Sequence, residues 1–229
     1  MEHTFFREVM CAVFLLLLGA ARYYYFVSAG TQPADRSSPA VNWARHIPAY
    51  LASTVWAIYV AWLPLASAEL FTWDRWIPNH WLSDLLGWIA VPVLGAGLWL
   101  FWYSHHTIGR YWSIQVRLKQ EHRLVTDGPY YYVRHPLYTA LFLGYFGTLL
   151  ALQSWVLVAW LPVFAASYLL FAKEEESVME HGFGEAYRAY CRQTGMFLPR
   201  WKRICADIAL AAAQLREPGF NAQRARDDD

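Results

Sequence analysis

Apolar stretches alternate with polar connections along most of this chain. A membrane-spanning helix needs about 20 mostly apolar residues. Five stretches reach or approach that length: about Glu8–Ala29, Pro48–Phe71, Leu82–Tyr103, Leu137–Gln153 and Trp155–Ala172. The pattern predicts an all-α fold, a polytopic integral membrane helical bundle of about five transmembrane helices. The fourth and fifth stretches are joined by almost nothing and read as a tight helical hairpin. Each of those two is short for a full span unless flanking residues help.

The connections divide the chain. Gly30–His46 is rich in Ser, Pro, Asp and Arg and reads as a loop. Phe71–Trp81 carries Trp73, Trp76 and Trp81 with Pro78 and reads as an interfacial turn. Ser104–His135 is the long polar connection between apolar segments, and a charged, amphipathic tail begins at Lys173. The end of that tail, Glu217–Asp229, is expected to fray. Three regions follow: N-terminal spans over 1–103, a loop, hairpin and C-terminal helix over 104–200, and a polar tail over 201–229.

Arg7 precedes the apolar run Val9–Ala21, which also fits a signal-peptide core. The cluster Tyr23, Tyr24, Tyr25 and Phe26 that follows suits a membrane interface better than a cleavage site, so the reading is a retained helix. With five spans, Lys and Arg collect on the side of the Gly30–His46 loop, the Ser104–His135 loop and the tail. Arg7 and Arg75 lie opposite. This asymmetry places the long loop and the C-terminus in the cytoplasm, in a bacterial inner membrane or the endoplasmic reticulum. Arg22, near the cytoplasmic end of the first run, can snorkel to the interface and needs no further role.

Composition sharpens the class. Of 229 residues, 57% are apolar and 16% charged, against about 45–50% and about 25% in soluble domains. Aromatic residues make up 18%, which fits interfacial belts. A net charge of +1 gives no field for nucleic acid. Cys11, Cys191 and Cys205 show no metal-site spacing and read as free thiols. His105, His106, His122 and His135 sit in no metal-binding frame, so no metal is expected.

Two stretches carry chemistry. In the first, Gly128-Pro129 marks a turn and Pro136 stands where a helix begins. Arg134 and His135 therefore lie at the interface, just before a helix that enters the membrane. In the second, KEEESVMEHGFGEAYRAY (173–190), glutamates about 100° apart let at least one turn toward the bundle. A hairpin returns to the face it left, so topology brings His135 to Glu175 and Glu176. Converging basic and acidic groups suit a zwitterion bearing a carboxylate and an ammonium.

The pattern HxLVxxGPYxxVRHPxY from His122, followed by EExxMxxxFGxxYxxY from Glu175, resembles the membrane-embedded methyltransferases. That group includes the isoprenylcysteine carboxyl methyltransferases and the phospholipid methyltransferases. The resemblance runs from about Ile108 to Pro199 and makes 104–200 the catalytic region. It implies S-adenosyl-L-methionine as cofactor, held at the cytoplasmic ends of the last helices. The residues implied to line it are His122, Leu124, Val125, Gly128, Tyr130, His135, Tyr138, Glu175, Glu176, Tyr187 and Tyr190. One of the two glutamates would hold the methionine ammonium. The acceptor would be membrane-associated and lipophilic, an isoprenylcysteine-like carboxylate or a phospholipid amine.

Two positions depart from the family pattern. Ala140 replaces a usual glycine. Lys173 stands near where the prenylcysteine enzymes carry an arginine for the substrate carboxylate. Arg134, His135 and Lys173 are thus the catalytic candidates, and an amine acceptor adds a need for a base among His135, His106 and the glutamates. A reductase related to the sterol reductases, using NADPH, is an alternative. Those enzymes usually show RHxNY where this chain reads Arg134-His135-Pro136-Leu137-Tyr138. A non-catalytic membrane protein is a third reading.

Overall fold

The computed structural model describes residues 2–29, 47–62, 80–111 and 123–214. The described residues are helical, with an isolated parallel bridge between Val133 and Gly195 and no strand. The helices are α1 (Glu2–Ala29), α2 (Ile47–Trp62), α3 (His80–Ile108), α4 (Pro136–Leu152), α5 (Trp155–Phe183), α6 (Glu185–Gln193) and α7 (Trp201–Gln214). Among the described residues, α3 and α5 each contain a stretch long and apolar enough to cross a membrane. Helices α2 and α4 are shorter apolar helices.

Of the second expected span, α2 covers the described part, and 63–79 lie outside the described residues. The fifth runs longer. Helix α5 continues unbroken past Ala172 through the acidic run to Phe183. Lys and Glu are good helix formers, so the change from apolar to charged composition ends the apolar face without ending the helix. Gly184, at φ +54°, then breaks the direction and starts α6.

Large apolar side chains face outward on several helices. Leu16 is 71% exposed, Ile58 63%, Trp88 69% and Leu170 61%. Such a surface is costly in water and favourable in lipid, so the molecule is an integral membrane bundle.

The interior is closed by aromatic packing and satisfied polar groups. Trp56 stacks edge-on to Phe164 at 5.6 Å, and its Nε1 donates to Thr148 Oγ1 at 3.0 Å. The Tyr145 hydroxyl donates to the Leu157 carbonyl at 2.6 Å. Helices α3 and α4 approach closely over small residues. A Cβ on Gly97 would stand 3.1 Å from the Ala140 carbonyl oxygen, and one on Gly147 would stand 2.6 Å from Leu94. Gly97 therefore serves helix packing.

The hairpin turn is short and pinned. Gln153 takes φ +53° and donates through Nε2 to the Ser83 carbonyl at 2.9 Å. Ser154 caps α5 by accepting from Leu157 N–H at 3.2 Å. Arg7 pairs with Asp84 near the start of α3. The starts of α1 and α3 and the α4–α5 turn therefore share one end of the bundle. The other end holds His105, His135 and Glu175.

Candidate functional site

His135 occupies the N-cap of α4, and Pro136 opens that helix. The backbone before it is fixed by the segment after α6. Arg134 N–H donates to Gly195 O at 2.8 Å, and His135 N–H donates to Met196 O at 3.1 Å. The turn at Gly195 is so tight that a Cβ there would lie 1.7 Å from the Leu198 carbonyl oxygen. Only glycine permits this crossing.

From that anchored backbone, Arg134 reaches inward. Its Nε donates to Glu176 Oε1 at 2.6 Å, and its Nη1 donates to the Thr194 carbonyl at 2.7 Å and the Cys191 carbonyl at 3.4 Å. The guanidinium thus joins α5 to the C-terminal carbonyls of α6. His135 stands between the two carboxylates, with Nδ1 3.2 Å from Glu175 Oε2 and Nε2 3.2 Å from Glu176 Oε1. Burial disfavours the imidazolium, but the hydrogen bonds and charges of Glu175 and Glu176 outweigh it and raise the pKa of His135 above 6.5. Its ring stacks on Tyr138, 5.4 Å between centroids and 11° between planes.

These groups open onto one cavity at this end of the bundle, with a volume of about 150 Å³. Of the residues implied to hold a cofactor, Leu124, Val125, Tyr130, His135, Tyr138, Glu175, Tyr187 and Tyr190 line it. Arg134 lines it as well. Tyr190 closes one side by donating to the Tyr130 carbonyl at 2.6 Å. The Tyr130 hydroxyl is buried and has no hydrogen-bond partner among the described residues. Ordinary ligand pockets measure roughly 300–1,000 Å³, so this cavity is smaller than a usual ligand site.

The remaining candidates lie elsewhere. Glu176 is not part of the lining; it is held by Arg134 and His135. Gly128, at φ +55°, packs on Tyr103 and Thr107 outside this cavity. Lys173 is exposed and does not reach the lining, because on a helix it projects about 200° from Glu175. His106 stacks on Trp102 at 5.5 Å and faces outward, while its neighbour His105 faces the cavity. His122 lies outside the described residues.

Sequence reasoning missed much of the opposite wall: Arg22, Tyr50, Phe101, His105, Leu141 and Phe171. Most carry no signal beyond apolar periodicity. Arg22 did, as a charge inside an apolar run, and such a residue points to function by default. Among the described residues, no group of three or more His, Cys, Asp or Glu could hold a metal ion.

Residues 88–181 match the sequence model of the isoprenylcysteine carboxyl methyltransferase family. Among curated proteins, the chain is 34% identical over 148 residues to the cobalt-zinc-cadmium resistance protein CzcN of Cupriavidus metallidurans, covering 64% of this chain and 62% of that one. It is 27% identical to a methanethiol S-methyltransferase of a Pseudomonas strain, over 69% of this chain and 64% of that one. It is 31% identical to a protein-S-isoprenylcysteine O-methyltransferase of Tribolium castaneum, over 52% of this chain and 42% of that one. The matches thus span less than two thirds of these relatives.

Proposed function

We propose that this chain, whose residues 88–181 match the isoprenylcysteine carboxyl methyltransferase family, transfers a methyl group from S-adenosyl-L-methionine to a lipophilic acceptor in the membrane. The observation that carries the reading is the division of labour between adjacent glutamates. Glu176 is consumed by Arg134 and His135, whereas Glu175, which contacts His135 but not Arg134, faces the cavity on the same lining as Tyr130, whose hydroxyl has no partner among the described residues. A carboxylate and a buried hydroxyl donor on one wall fit the ammonium and carboxylate of an amino-acid moiety. Leu124, Val125, Tyr187 and Tyr190 supply apolar and aromatic area for the remainder of the cofactor.

The bound cofactor supplies an already activated methyl group on a positive sulfur. The residues of the chain therefore bind, orient and exclude water. Glu175 holds the ammonium. Arg134 fixes α6 over the cavity rather than touching substrate. His135 keeps both carboxylates in place. The acceptor enters from the apolar side, between helices, and the N-terminal helices shape its choice.

Calorimetric titration of the purified protein with S-adenosylhomocysteine, with NADPH as control, tests this. Saturable binding of the first alone supports the reading. Binding of NADPH alone moves the chain to the reductase branch, and binding of neither by folded protein removes the catalytic reading.

A further inference from the structure

The cavity is lined by three arginines, and they are not equivalent. Arg134 is committed to Glu176 and to two carbonyls. Arg123 is exposed and lies 3.3 Å from Asp127. Arg22, on α1, is different. Among the described residues it forms no salt bridge. Its guanidinium carbon sits 5.6 Å above the Tyr50 ring, on a lining that also includes Phe101, Leu141 and Phe171.

A cation on an apolar wall is costly unless it meets an anion. A ring face offsets only part of that cost. The positive charge therefore marks a place in the cavity that favours a negative group and disfavours an ammonium. Arg22 lies on α1 and Glu175 on α5, and both line the cavity, so it presents one positive and one negative group from different helices. Helix α1 lies wholly outside the segment that matches the family.

We propose that Arg22 is the specificity-determining residue of the acceptor side, and that it selects a negatively charged nucleophile, a carboxylate or a thiolate, on an apolar body. This rests on the methyl-transfer reading above and deepens it. It also gives to Arg22 the role that Lys173, exposed outside the cavity, does not fill. In the transfer, a lone pair of the nucleophile forms a bond to the methyl carbon. The carbon–sulfur bond breaks and its electron pair stays on sulfur. The negative nucleophile and positive sulfonium become two neutral products, and no proton needs to be placed. Because the nucleophile loses its charge along this path, Arg22 acts mainly on binding, and its loss raises KM more than it lowers kcat.

The test uses full-length protein in nanodiscs, without cofactor, titrated with octanoate, octanethiol above its thiol pKa, and octylamine. The wild type should bind at least one of the two anions and prefer it to the amine. Arg22→Gln should weaken that anion by about ten- to a hundredfold, with octylamine unchanged or improved, and Arg22→Lys should retain part of the affinity. The anion that responds identifies the nucleophile. Equal anion affinity in wild type and Arg22→Gln, or preference of the wild type for octylamine, overturns the proposal. Parallel titration with S-adenosylhomocysteine keeps the two readings apart. Its loss in the wild type sinks the cofactor assignment, while an unchanged value in Arg22→Gln beside weakened octanoate shows that Arg22 serves the acceptor alone.

Discussion

Arg134 and Glu176 form a partly buried ion pair, Nε to Oε1 at 2.6 Å, with side chains 11% and 20% exposed. This pair decides which of two adjacent carboxylates is available. Glu176 is spent on the fold, and Glu175, about 100° around α5, is left on the cavity wall. The two glutamates should therefore fail differently.

Glu175→Ala should lower affinity for S-adenosylhomocysteine by about ten- to a hundredfold, the worth of one charge-assisted contact, with a smaller fall in Tm than Glu176→Ala, because it loses the His135 contact but leaves the Arg134 pair intact. Glu176→Ala strands the Arg134 guanidinium and should destabilise the protein by about 1–3 kcal/mol. Titration calorimetry and thermal unfolding of both variants, side by side, check this. Equal loss of affinity with equal Tm in the two variants would remove the distinction.

Gly195→Ala places a methyl group 1.7 Å from the Leu198 carbonyl oxygen. The turn must open, and with it the carbonyls that receive Arg134 and His135 N–H. A loss of more than about 3 kcal/mol is expected, seen as a lower Tm and reduced yield. A fully stable variant would mean that the 194–200 turn is not built as described.

Stability should depend on His135 with a defined sign. Burial alone would lower its folded-state pKa, but the hydrogen bonds it donates to Glu175 and Glu176 and their negative charges raise it above 6.5. The stabilisation is therefore fully present below about pH 6.5 and fades as pH rises through the higher folded-state value. Comparing Tm against pH for wild type and His135→Gln isolates it. The gap between the two should narrow toward alkaline pH, and a gap that widens contradicts the charged pairing.

Tyr190→Phe removes the hydrogen bond to the Tyr130 carbonyl that fastens α6 over the cavity. A net loss of about 0.5–1.5 kcal/mol, a few-fold in cofactor affinity, is expected. Unaltered affinity would show that α6 needs no such fastening to close the pocket.

Several features were legible from residue order alone. The hairpin follows from two apolar stretches with no room between them, and a hairpin must return to its own face. That logic places His135 beside Glu175 and Glu176, as the 3.2 Å distances confirm. Proline at 136 marks the start of α4, since proline fits the first turn of a helix. The methyltransferase resemblance likewise rested on spacing, and the family match over 88–181 agrees with it.

Other features were decided only by the folded chain. Order along a helix fixes angles around its axis but not which angle faces a partner. Choosing Glu175 over Glu176, His105 over His106, and Arg22 over Lys173 as cavity residues therefore required the packing of α1, α3, α4 and α5. The sequence puts Arg134 among the catalytic candidates, beside His135 at the interface. Its partners, the carbonyls of Cys191 and Thr194, lie 57 and 60 residues away and belong to backbone, which no side-chain pattern records. The sequence by itself determined which groups could meet at one end of the bundle, because apolar length and turn residues dictate the topology. Only the tertiary structure decided which of them face the cavity and which are spent holding it, because that depends on rotation of whole helices against neighbours distant in sequence.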